Sequence, residues 1–125
     1  MHLLNKKPAL SLLMVITFLT ACKQSSTPPP SLSAEQLPAA FEKAFAKAQP
    51  ETKDLASQVI SAVQAQDYAK ANAAIQNLVT RPGLTKEQTT IASSGLMTVN
   101  SLLQSAQAKG DTKAAEVLQF QRRNK

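Results

Sequence analysis

One cysteine, one histidine, three glycines and no tryptophan in 125 residues remove several chemistries at once. A single thiol builds no disulfide framework. The one imidazole is His2, so both the commonest acid–base side chain near neutral pH and the commonest zinc ligand are confined to the extreme N-terminal segment. Glycines at 83, 95 and 110 stand too far apart to make a phosphate-cradling loop. Ser93-Ser94-Gly95 lacks the spacing of a nucleophile turn and follows no strand pattern, so Gly95 reads as a place of close helix packing. Glu51 and Asp54 are the nearest approach to paired carboxylates, and the positive end of a helix dipole accounts for both. The expectation is a protein with no catalytic residue, no metal and no cofactor.

Aromatic residues make up 4% of the chain and the formal charge is +6. A single-strand nucleic-acid surface needs a continuous basic face with interleaved aromatics, whereas here the basic residues alternate with acids until Arg122, Arg123 and Lys125. Nucleic acid is therefore not an expected partner.

What is present begins at the N-terminus. Lys6 and Lys7 precede an apolar run from about Pro8 to Leu19, shorter than the roughly 20 residues that cross a bilayer. Leu19, Thr20 and Ala21 then lead into Cys22. This Leu-Thr-Ala-Cys stretch resembles the lipobox of bacterial lipoproteins, in which an aliphatic residue and two small ones precede a cysteine that is lipidated on sulfur. The resemblance implies a signal peptide over 1–21, lipidation at Cys22, and localisation in the cell envelope as a lipid-anchored protein. Lys23, rather than aspartate, follows the cysteine and favours the periplasmic face of the outer membrane. One acyl chain holds a protein only reversibly, so the diacylglycerol that such lipoproteins carry is what makes the anchor firm. Such processing would also remove His2 and occupy the thiol, and losing Lys6 and Lys7 takes the formal charge from +6 to +4.

Residues 22–37 read as the lipidated cysteine and a Pro/Ser-rich tether, with Pro28, Pro29 and Pro30 favouring extended geometry. Residues 38–125 read as an all-α domain of about five helices, a small bundle or stacked helical hairpins. The first helix is expected from Pro38, with Phe41, Ala44, Phe45 and Ala48 on one side; Ser33 and Gln36 also make a capping-box pattern that allows an earlier start. Pro50 opens a second helix with Leu55, Val59, Ala62, Val63 and Gln66 inward and Ile60 widening the face. Asp67 caps a third carrying Tyr68, Ala71, Ile75, Leu78 and Val79. Pro82 and Gly83 break the chain, and Thr85 with Gln88 caps a fourth helix. Its expected stripe is Ile91, Gly95, Val99, Leu102 and Ala106, with Leu96, Met97 and Leu103 beside it. Gly110 and Asp111 separate it from a short last helix with Ala114, Val117, Leu118 and Gln121 inward.

Ala65-Gln66-Asp67-Tyr68-Ala69-Lys70-Ala71, followed by Ile75, Leu78 and Pro82, resembles the turn and second helix of a tetratricopeptide repeat, with Gln66 where that family has glycine. The resemblance covers residues 50–82 and implies an antiparallel helical hairpin. The layout as a whole is similar to that of small envelope lipoproteins, and an envelope protein is the expected partner. Arg122, Arg123 and Lys125 mark an alternative contact with peptidoglycan or an anionic surface. Lys125 follows basic residues as the terminal lysine of murein lipoproteins does, but that family is one continuous coiled coil, and this chain is broken at Pro50, Pro82 and Gly110.

Overall fold

The computed structural model describes residues 31–125; the signal segment, Cys22 and the first part of the tether lie outside them. Among the described residues there are five helices and no strand: α1 (Leu37–Phe45), α2 (Pro50–Gln64), α3 (Tyr68–Val79), α4 (Lys86–Ala108) and α5 (Thr112–Arg123). The fold is all-α, as the helical periods indicate. Helices α2 and α3 form one hairpin and α4 and α5 a second; α3 lies against α4 and α5, while α1 packs on both α2 and α4. None of these helices is long and apolar enough to cross a membrane.

The punctuation follows the side chains. Asp67 accepts from the Lys70 N–H at 3.1 Å, and Asp111 from the Ala114 N–H at 3.2 Å. Thr85 and Gln88 bond reciprocally at 3.1 and 3.0 Å, a complete capping box. At the N-terminus both readings of the sequence are partly realised. Ser33 and Gln36 exchange side-chain bonds at 3.2 Å around a turn, and the regular helix follows at Leu37, with Pro38 in its first turn. Pro38 has no N–H to donate, and this position tolerates the loss.

Leu37, expected as the last residue of the tether, is fully buried, and Leu32 packs against the core. The body therefore extends back beyond Pro38, because these two leucines have apolar area to remove from water and α4 supplies the surface.

Phe41 and Phe45 anchor α1, both essentially buried, with ring centroids 5.6 Å apart. Val59, Ala62, Ala71, Ile75, Leu78, Val99 and Leu103 complete most of the core. Gly95 shows why a small residue is needed there: a Cβ built on it would lie 2.5 and 2.6 Å from two atoms of the Phe41 ring. Two expected faces are partly displaced. On α2 the buried line runs through Thr52, Ala56 and Val59, leaving Leu55 half-buried, since α1 and α3 approach from different sides. On α4 it runs through Gln88, Ala92, Gly95, Val99 and Leu103, so Leu102 and Ala106 are half-buried and Met97 is exposed. Gln66 leaves the helix altogether and is exposed, with φ of 59°.

Candidate functional site

Two features of the fold bring polar chemistry together, and both are fixed by α4. On one flank the Thr98 hydroxyl donates to the Leu32 carbonyl, tying the segment ahead of α1 to the middle of the helix. On the other flank Asn72 of α3, Asn100 of α4 and Gln121 of α5 meet. The Asn72 amide donates to Asn100 at 3.0 Å, Gln121 donates to both at 3.3 Å, and Gln76 donates to Asn72 at 2.7 Å. Asn72 is 3% exposed, so this amide cluster sits where an unpaired group would cost about 1–3 kcal/mol. It holds three helices in register.

Thr98 and Asn100 are two residues apart, about 3 Å along the helix axis and 200° around it. The N-terminal strap and the end of α5 thus grip opposite flanks of α4 at one height.

A hollow of about 400 Å³ opens between α1 and α2, with Phe41, Phe45, Ala56 and Ile60 forming its apolar floor and Lys53 and Gln64 on its rim. A second, of about 450 Å³, lies between the two hairpin corners and is lined by Gln66, Tyr68, Leu102 and Asp111. Tyr68 is half-buried there, consistent with an aromatic that packs the hairpin and keeps a wet tip.

The carboxylates do not converge. Glu51 pairs with Arg81 at the far end of the first hairpin, and Asp54 accepts from Gln58 at 2.9 Å one turn on. With Glu51 four-fifths exposed, the ion pair contributes little. Among the described residues no three histidine, cysteine or acidic side chains group as metal ligands. Ser94, 2% exposed, is inside α4 rather than on a turn.

Of the residues singled out by sequence, Leu19, Thr20, Ala21 and Cys22 lie outside the described residues. Arg122, Arg123 and Lys125 are all exposed at the end of α5. The Arg122 Nε–H reaches back to the Leu118 carbonyl at 3.3 Å, the contact expected of a cation at a helix C-terminus. Sequence reading missed the amide cluster, because Asn72, Asn100 and Gln121 are remote in the chain and no period joins them. It also missed Phe120, though the signal was there: Phe120 stands two residues after Leu118, and residues two apart do not share a helix face.

Compared with family models, curated proteins and solved structures, the chain matches none.

Proposed function

We propose that this is a lipid-anchored envelope protein whose helical body is a protein-interaction module with no chemistry of its own. Lipid on Cys22 supplies the anchor, the residues after it the tether, and the stacked hairpins the binding surface. The observation that carries the binding part is the open hollow between α1 and α2, where the half-buried Ile60 lies among polar side chains over the buried Phe41 and Phe45. Grooves of mixed character on stacked helices accept an extended or helical segment of a partner. A photo-crosslinker placed at Lys53 in intact cells is expected to capture one envelope protein, and the same probe at the exposed Lys109 is expected not to. Equal capture at both positions would remove the groove from the reading. The anchor is checked separately: palmitate labelling should disappear in Cys22→Ser, and the protein should leave the membrane fraction.

A second reading is favoured by the exposure of Arg122, Arg123 and Lys125 together at one end of α5. In it the body also touches an anionic surface of the envelope, either peptidoglycan or phospholipid. Each basic residue near such a surface contributes on the order of 1 kcal/mol.

A further inference from the structure

Two hollows on α4 are parts of one groove. The first, of about 360 Å³, lies between the helix and the strap and is lined by Leu32, Met97, Thr98, Ser101 and Leu102 among others. The second is the hollow beside Tyr68 at the hairpin corners, and Leu102 belongs to both. Thr98, Leu102 and Ala106 follow at four-residue steps with Ser101 and Ser105 alongside, so the two hollows share one flank of α4 and adjoin end to end. Leu102 and Ala106 are half-buried, and Ser101 and Ser105 are exposed.

The strap enters this groove from one end, and its direction is fixed. Helix α1 runs antiparallel to α4, since Phe41 lies on Gly95 and the Ala44 carbonyl accepts from the Gln88 side chain at 3.2 Å. Traced back from α1, the chain therefore moves toward the C-terminus of α4: the Leu32 carbonyl is held by Thr98, and Ser31 lines the hollow with Ser101 and Leu102. The residues before Ser31 lie outside the described ones; in the sequence they are Thr27, Pro28, Pro29 and Pro30. From Thr98 to Ala106 the helix rises about 12 Å. At about 3.1 Å per residue in polyproline geometry, Ser31, Pro30, Pro29 and Pro28 cover the same length.

We propose that Pro28, Pro29 and Pro30 dock in this groove, continuing the strap along α4 to the Tyr68 ring at the hairpin corners. The chemistry of segment and wall agrees. Prolines carry no N–H, so the segment offers only carbonyl acceptors, and the groove offers the hydroxyls of Ser101, Ser105 and Tyr68 as donors. The pyrrolidine rings meet Leu102, Ala106 and the tyrosine ring, the pairing of proline with aromatic and aliphatic walls that polyproline segments use elsewhere. No charged residue lines the hollow beside the strap, and residues 24–30 carry none. Fixed φ angles and covalent attachment to the strap keep the entropic cost of docking low. The docking does not depend on lipid at Cys22, but its consequence rests on the anchored reading: the free tether shortens to the five residues between Cys22 and Thr27, at most roughly 18 Å, and leaves the body at the corner end.

Tyr68 is the only tyrosine and the chain has no tryptophan, so the intrinsic emission of the full chain reports on this groove alone. Replacing Pro28, Pro29 and Pro30 together by serine should uncover the ring and raise its quenching by acrylamide about twofold, with the urea midpoint of the body little changed. Equal quenching of the two proteins overturns the docking. A photo-crosslinker at Ser105 in intact cells should join the segment 27–30 of the same chain at the mass of a monomer, and the same probe at Ser57 should not. Capture at Ser105 of a second copy, of another protein or of nothing overturns it as well. Palmitate labelling of Cys22 enters neither measurement, so a failed anchor and a failed docking give different results.

Discussion

The two hairpins turn on the same backbone motif and are held together by different forces. At the first corner the Gln66 N–H bonds the Val63 carbonyl and the Asp67 N–H the Ala62 carbonyl; at the second, Gly110 bonds Gln107 and Asp111 bonds Ala106. Each is a left-handed residue followed by an aspartate that caps the next helix. Beyond the corners they diverge. Helix α3 buries Ala71, Ala74, Ile75 and Leu78, while α5 buries only Ala114 and Leu118 and adds the Gln121 amide. The lesson is that corner chemistry sets the direction of the returning helix and the apolar stripe sets how firmly it is held. The second hairpin is the looser, and its outer helix carries the basic end.

The largest expected effect tests that difference directly. Ile75→Ala removes a fully buried side chain from the centre of the first hairpin and should cost about 3 kcal/mol, seen as a lower urea midpoint of the whole domain. Leu118→Ala should cost less, about 2 kcal/mol, and show chiefly as faster amide exchange along 112–123. Equal global losses from the two would abolish the distinction between the hairpins.

Gly95→Ala comes next, because the second hairpin meets α1 there. The added methyl would sit within 2.6 Å of the Phe41 ring, and overpacking of this kind costs about 1–3 kcal/mol. Trimming the ring with Phe41→Leu should recover part of that loss, a coupling that a double-mutant cycle in urea measures. Additive losses would mean that another neighbour takes the strain.

Asn72→Ala tests the polar tie between the hairpins. It takes a donor from Asn100 and an acceptor from Gln76 and Gln121, and a loss of about 1–2 kcal/mol is expected. Gln58→Ala, which removes only the exposed bond to Asp54, should change stability by less than about 0.5 kcal/mol. A similar small change for Asn72 would show that the amides ride on a register fixed by packing alone.

Local signals were legible and their spatial partners were not. Asp67, Thr85, Gly110 and Asp111 announce helix ends because each acts on backbone within four residues. Phe41, Val59, Ile75 and Val99 show the core because the helical period places them. The exact line of burial on α4 was not readable, since it depends on α1 and the strap on one flank and α3 with α5 on the other. Leu32 and Leu37 read as tether in the sequence for the same reason: a polar, proline-rich context outweighs two leucines until a surface exists to receive them. The basic end was visible as charge because its residues are neighbours in the chain.

The smallest effect bears on why two corners of one design differ in a single residue. Gln66 adopts φ of 59° with a side chain attached, while Gly110 reaches 95° without that penalty. The left-handed conformation costs a residue with a Cβ roughly 1–2 kcal/mol, part of which glycine returns through its greater freedom in the unfolded chain. Gln66→Gly is therefore expected to stabilise the protein by about 0.5–1 kcal/mol, and Gly110→Gln to destabilise it by about 1 kcal/mol. If Gln66→Gly lowers the urea midpoint instead, the glutamine side chain is making a contribution in the hollow it shares with Tyr68, Lys109 and Asp111 that outweighs its backbone cost. The corner between the hairpins would then be a place where stability was exchanged for a particular side chain, and it would be the next surface to probe for a ligand.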